Sequence, residues 1–596
     1  MKRKLFTATL ILLATLALTL LQPTLQTKTG TITLLTVSET AKKGGTATLQ
    51  LFIKPGTGSI FLDSLPLSRL DTQSSTRYAN QIACDYLDKD CSQYDFFYRI
   101  RADSNIVGGP SAGAAIAILT ISTLTGTPLK DDVAITGTIN SGGIIGPVAG
   151  ITAKARAAKE AGFHTVLIPK FEIPVNDTNE TIEGITLIPV STLDEALLYF
   201  TEKTWNTVNG NITPPPSYTQ RMQFVAKTLC QQTKHLQETL LQKNILLPEG
   251  KNYTKRASMA QQQGNYYSQA SLCFSNNLQL RTALLNHTTK KEQLELFVKT
   301  RNEAIKLEHH IDTLPLTTIT DLETYIIVKE RIRDAKERVA LRNAKNLTAD
   351  NVAYAIERLN SARSWTTFFG MPGKKISLEQ DNLKEACREK ISEAEERISY
   401  AELYFPQILR DAKKDLSAAY GDAEQGAYAL CLFSASRAKA KANLFSSLLG
   451  VNKNLIGNVT QEKLATVEKL LIKQQQRNTF PILGYSYYEY AKELLPYDPA
   501  SAITFAEYAL ELGNLAPYFP EKKNTIISKI KTSAATLTPY LLGLLGGIAF
   551  ATFLNYQTPN IPARTREKTL RRRRQAQRRT QQKKSSNNKK RTKKNA

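Results

Sequence analysis

One stretch of the chain places a nucleophile where its attack could be assisted: Gly108-Gly109-Pro110-Ser111-Ala112-Gly113, running into an apolar segment that ends near Leu124. A serine that follows a Gly-Gly-Pro corner and opens a helix lies among backbone N–H groups without intrahelical partners, which favour negative charge. Such a position could stabilise an oxyanion in acyl transfer. On these six residues alone, the plainer reading of Ser111 is a helix N-cap. Other chemistries have less to stand on. Cys84, Cys91, Cys230, Cys273, Cys387 and Cys431 show no C-x-x-C and no Cys/His ligand spacing, so neither a zinc module nor a thioredoxin-type site is expected, while their even number leaves disulfides open. His164 is the only histidine near the serine, and its place at a strand edge suits a surface or core role. Glu308-His309-His310 has no further ligand at helical spacing and reads as a solvated helix face. No metal and no cofactor are expected.

The elements around Ser111 read as one α/β region. Leu49–Ile53 and Ser59–Leu62 look like strands around the turn Lys54-Pro55-Gly56-Thr57-Gly58. Residues 76–86 read as a helix, 95–102 as a strand, 111–124 as a long apolar helix, 133–138 as a strand, 151–161 as a helix and 165–169 as a strand. Alternation of this kind, with glycine-rich corners, argues for one domain. The triple proline Pro214-Pro215-Pro216 breaks the pattern. Beyond it, helix-period segments rich in Ala, Leu, Glu, Lys and Tyr predict a helical bundle or an array of helical hairpins, with no fixed repeat period.

The segment downstream of the serine is more specific. Thr136-Gly137-Thr138 leads through Gly142-Gly143, Gly146-Pro147 and Gly150-Ile151-Thr152-Ala153-Lys154 to Ala161-Gly162 and Thr165-Val166-Leu167-Ile168-Pro169. This resembles the proteolytic domain of Lon proteases, in which a G-P-S-A-G serine works with a lysine at the start of a following helix. The likeness runs over about residues 30–203 and places the lysine at Lys154. It implies a Ser-Lys dyad of Ser111 and Lys154, with Thr136 orienting the lysine. Backbone groups of Gly109, Pro110, Ser111 and Ala112 would hold the oxyanion. The chemistry is consistent with the residues present: a lysine acts as base when burial lowers its pKa, and Lys154 sits among Ala153, Ala155, Ala157 and Ala158.

Two positions depart from the family. Gly108 stands where bacterial Lon proteases commonly carry Asp, and Thr138 where the family has Glu, which puts groove gating and fine activity in doubt rather than the dyad. The chain also contains no G-x-x-x-x-G-K-[ST] loop. The layout resembles the ATPase-lacking, membrane-associated Lon-like proteases of archaea. That implies nucleotide-independent serine endopeptidase activity on unfolded, exported or membrane proteins, and hexamers by family habit. The rival expectation is an inactive, membrane-anchored scaffold whose helical domain binds a partner.

The two ends carry the topological expectations. Residues 1–27 read as a signal sequence or N-terminal signal anchor, 30–203 as the protease, 204–218 as a Pro-rich linker and 219–531 as the helical domain. Residues 532–554 are free of charge and read as a transmembrane helix, and 555–596 as a basic cytoplasmic tail. The formal net charge is +25, and residues 564–596 hold sixteen basic residues against one Glu. A charge concentrated in the tail argues against nucleic-acid binding by the folded body and for contact with membrane lipid. With basic residues outside both apolar stretches, the positive-inside rule predicts a cell-membrane protein whose protease and helical domains are extracytoplasmic. Asn-x-Thr sequons such as those at Asn252 and Asn286 agree with that expectation.

Overall fold

The computed structural model describes residues 27–519 except for 38–42, 103–107, 172–181, 206–207, 209, 249–251, 338–346, 405–406 and 408. It also describes 543–544, 546–548, 567 and 569–581. Residues 25–521 form one compact unit, and 1–24 with 522–596 form another.

The first unit begins with a sheet of order β1-β2-β4-β3: β1 (Lys28–Val37), β2 (Gly44–Pro55), β3 (Ile60–Leu65) and β4 (Tyr94–Ala102). Only β3 and β4 run parallel. Period-two alternation explains the strands: Ala47, Leu49, Leu51 and Ile53 of β2 are buried, and the last three pair in register with Ile100, Tyr98 and Phe96 of β4. Against this sheet lie α1 (Leu70–Leu87) and α2 (Gly113–Thr125). Helix α2 is buried from Gly113 to Leu124, so it runs through the core without a polar face. Its hydroxyls are satisfied locally: Thr120, Thr123 and Thr125 each donate to the carbonyl four residues back, at 2.7–2.8 Å. The helix ends at Gly126, whose φ of 70° suits a residue without Cβ.

A second, parallel sheet has the order β5-β8-β9, from β5 (Val133–Ile135), β8 (Thr165–Pro169) and β9 (Thr186–Val190). Helix α3 (Ile151–Glu160) precedes β8, and α4 (Leu193–Thr201) follows β9. Between β5 and α3 the chain forms a small hairpin, β6 (Thr138–Asn140) and β7 (Ile144–Gly146). Among the differences from expectation, three concern the strands and the serine turn. Strand β1 is new, its Thr-rich alternation being weak as a sequence signal. The expected strand over 133–138 breaks at Thr136-Gly137, because the Gly137 backbone bonds to the serine loop instead of to a sheet partner. Ser111 lies in a 3₁₀ turn, Pro110–Ala112, just before α2 rather than within it.

The rest of this unit is helical: α5 (Pro216–Gln242), α6 (Tyr253–Gln262), α7 (Tyr266–Asn286), α8 (Lys290–Asp312), α9 (Ile319–Glu337), α10 (Ala349–Trp365), α11 (Gln380–Glu402), α12 (Arg410–Glu424), α13 (Tyr428–Leu448), α14 (Ile456–Gln476), α15 (Ile482–Leu494) and α16 (Pro499–Leu512). All six cysteines are paired. Cys84–Cys91 ties the end of α1 to the turn before β4, Cys230–Cys273 joins α5 to α7, and Cys387–Cys431 joins α11 to α13. Closing loops of this kind stabilises a fold by about 2–4 kcal/mol each. Within this helical part Glu308 pairs with Lys329 at 2.9 Å and with Lys336.

The expected transmembrane helix over 532–554 is overturned. Among the described residues no helix is long and apolar enough to cross a membrane. A span needs about 20 consecutive apolar residues. Of 532–554 only 543–544 and 546–548 are described, and the longest helix among the described residues, α5, carries Arg221, Lys227, Lys234 and Glu238 along its length. The cell-membrane localisation, with its outward-facing domains and cytoplasmic tail, loses its support with that helix. The expected leader over residues 1–27 lies, but for Thr27, outside the described residues.

Candidate active site

The serine loop is built backwards from Gly109. Its φ of 96° and ψ of 154° fall in a region that favours glycine, and the turn there lets Pro110 start the 3₁₀ turn that carries Ser111. Ser111 is half-buried. Its carbonyl accepts the Gly137 N–H at 3.0 Å, and the Ala114 N–H donates to the Gly137 carbonyl at 3.0 Å. These two bonds fasten the loop to the Thr136-Gly137 dipeptide. Gly137 also has no room for a side chain, since a Cβ there would lie 2.5 Å from Ile145 Cγ2.

Lys154 reaches the same dipeptide from the opposite direction. It lies in the first turn of α3, whose N-cap Gly150 takes a left-handed conformation with φ of 73°. Lys154 is 2% exposed, and its Nζ donates to Thr136 Oγ1 at 3.1 Å; Thr136 itself is 1% exposed. The Thr136 N–H is held by the Leu167 carbonyl of β8 at 3.1 Å, so the residue is fixed at both backbone and side chain. Ser111, Thr136 and Lys154 thus converge on one dipeptide, with Lys154 turned inward rather than to solvent. His164 stands apart, exposed, its backbone N–H bonded to the Asp132 carbonyl.

The oxyanion set needs revision. Pro110 has no N–H, and the Gly109 N–H is already spent on Asp71 Oδ1 at 3.1 Å. Ser111 and Ala112 remain as the backbone donors of that set.

Asp71 itself is a residue that sequence reasoning missed. It sits in the first turn of α1, 9% exposed, where its Oδ1 also accepts the Thr72 N–H at 2.7 Å. Tyr404, beyond the end of α11, donates to its Oδ2 at 3.4 Å, and Thr72 Oγ1 donates to the Gly109 carbonyl at 3.4 Å. A carboxylate thereby buttresses the serine loop although Gly108 carries none. The only available signal was an acidic residue at a helix start, which is too common to single out.

The second missed feature is a clamp on the β6–β7 hairpin. Lys463 of α14 and Glu507 of α16 form an ion pair at 2.7 Å with both side chains fully buried. Lys463 Nζ also donates to the Ser141 carbonyl at 2.9 Å, and the Ser141 hydroxyl bonds Glu507. The clamp grips the turn that follows β6, a strand that begins two residues after Thr136.

The sequence model of the Lon protease (S16) C-terminal proteolytic domain matches residues 87–201. An archaeal Lon protease of Methanocaldococcus jannaschii is 40% identical over 108 residues, 18% of this chain and 16% of that protein. One from Thermococcus kodakarensis is 37% identical over 113 residues, 19% of this chain and 18% of the relative. Lon protease 1 of Bacillus subtilis is 31% identical over 164 residues, 26% of this chain and 21% of the relative. The chain therefore spans about a fifth or less of the length of these relatives. Within that stretch it carries a Lon-type proteolytic domain, and the likeness implies a serine peptidase.

Proposed function

We propose that the chain is a serine endopeptidase in which Ser111 is the nucleophile and Lys154, oriented by Thr136, is the general base. The neutral Lys154 amine takes the Ser111 Oγ proton as the oxygen attacks the peptide carbonyl. The resulting oxyanion is held by the N–H groups of Ser111 and Ala112. Lys154 then gives its proton to the leaving amine, and the acyl-enzyme is released by a water that the same lysine deprotonates. The observation that carries this reading is the convergence of Ser111 and Lys154 on Thr136-Gly137, with Lys154 Nζ 3.1 Å from Thr136 Oγ1.

Hydrolysis is independent of nucleotide in this proposal, since the chain has no G-x-x-x-x-G-K-[ST] loop. Without ATP-driven unfolding, substrates are polypeptides that are already unfolded. Oligomerisation of the proteolytic domains belongs to the same proposal by likeness to the relatives. Casein digestion by the full chain in nucleotide-free buffer tests it, beside Ser111→Ala and Lys154→Met. Both variants should lose activity by about a thousandfold or more. Casein cleavage that persists in Ser111→Ala would remove the mechanism.

A further inference from the structure

In the helical part, α7, α9, α10, α13, α15 and α16 enclose a cavity of about 320 Å³. That is the small end of ligand pockets, room for one residue rather than a long segment. Its wall is aromatic: Tyr267 meets Trp365, Tyr487 and Tyr490 edge to face, each at 6.1 Å between ring centroids. Phe274, Tyr490, Phe505 and Tyr508 are only partly buried, so the cavity is accessible on their side.

Two charged groups at the cavity are incompletely answered. Arg331 is 7% exposed, yet its partners are neutral: Ser361 Oγ at 2.8 Å, the Ile327 carbonyl at 3.2 Å, and the Trp365 ring at 5.0 Å. Among the described residues no carboxylate lies within ion-pair distance of it, and the charge of Glu330 acts on it from further away. A buried cation is normally paired, because desolvation without an anion is costly. Beside it, Glu330 is 5% exposed and faces Arg358 at 3.4 Å and Arg437 at 3.6 Å through Oε1. Its Oε2 is buried and has no hydrogen-bond partner. Burial opposes ionisation of Glu330, but the surrounding arginines outweigh it and hold its carboxyl below the ordinary range. The site thus offers a cation, an acceptor and an aromatic wall together.

We propose that this cavity binds the C-terminal residue of an unfolded polypeptide substrate, with Arg331 taking the carboxylate, Glu330 Oε2 the terminal amide N–H, and the ring of aromatic residues an apolar side chain. In an unmodified chain only an apolar C-terminal residue presents these three groups together. The inference rests on the peptidase reading for its purpose, since it makes the helical part the receptor that supplies segments for cleavage. Its test does not depend on cleavage.

The probe is a hexapeptide ending in Phe with a free carboxylate, compared with its C-terminal amide and with the same peptide ending in Ser. The protein is the full chain carrying Ser111→Ala and Trp205→Phe, which leaves Trp365 as the sole tryptophan of the two. The free acid should change Trp365 emission saturably, with the amide and the Ser-ended peptide each binding at least about tenfold more weakly. Arg331→Met should remove the acid's advantage. Equal binding of acid and amide, or no saturable change with the acid, overturns the proposal. Acid and amide are compared on the same unaltered cavity, so that comparison holds even where Arg331→Met folds poorly. Casein digestion is read separately, on the chain that retains Ser111: its absence there with this binding intact, or the reverse, separates the receptor from the catalytic reading.

Discussion

Gly109 turns the chain into the serine loop, and Asp71 keeps it there by accepting the Gly109 N–H at 3.1 Å. Removing the carboxylate leaves that N–H and the loop's corner without their anchor. Asp71→Ala should therefore lower kcat/KM on an unfolded protein by about tenfold to a hundredfold, with Asp71→Asn losing less because it keeps an acceptor. Steady-state kinetics on a fluorogenic casein measures both. At this scale the sequence was informative where chemistry and local conformation share a motif. Gly-Gly-Pro announces the corner at Gly109, which the structure has, whereas Ser111 read first as an N-cap, and its proposed role with Thr136 and Lys154 came from the resemblance. Asp71 was not legible, because it lies 38 residues before Gly109 on another element and carries no motif of its own.

The β6–β7 hairpin shows how elements position the site. Its strands are three residues each, too short for period-two alternation to register, so the sequence read 133–138 as one strand. What holds the hairpin is the Lys463–Glu507 pair with Ser141, contacts that join residues more than 300 positions apart. Removing one partner of a fully buried ion pair strands the other. Lys463→Met should cost about 3–5 kcal/mol of stability, whereas the double replacement Lys463→Met with Glu507→Leu should recover most of it. Urea denaturation of the three chains gives the comparison.

The junction of α9 with α15 makes a separate pH prediction. Burial pushes Glu323 up to about 8, against the opposing N–H groups of Leu483 and Ile482. An unfolded glutamate titrates near 4.3. Between these values the folded chain holds a proton that the unfolded chain has released, so stability falls as pH rises through about 4.5–8 and levels off above. Glu489, pushed up to about 7 by burial, acts with the same sign. Glu323→Gln should flatten the decline of Tm between pH 5 and 8.5 and leave the variant more stable than the parent at pH 8.5. Parallel decline of the two would remove Glu323 from this role.

Across the whole molecule, the proteolytic part and the helical part share buried contacts rather than a flexible link. Ion pairs Asp194–Lys469 at 2.7 Å and Lys170–Glu462 at 3.2 Å join them at the rim of the clamp, and Phe171 packs with Val459 and Ile503. Helical periodicity announced the second part, but nothing in it revealed which helices would face the Lon-like part, since those contacts depend on long-range packing. The apolar run at 532–554 misled for a related reason: hydropathy alone proposed a span, and no helix among the described residues has the length and apolar character to make one.

The most direct test of the dyad is covalent. A fluorophosphonate that traps activated serines is incubated with the full chain, and the adduct is mapped by mass spectrometry. The adduct should fall on Ser111, vanish in Ser111→Ala, and form at least about a hundredfold more slowly in Lys154→Met. An adduct on another residue, or labelling of Ser111 that is indifferent to Lys154, would contradict the account.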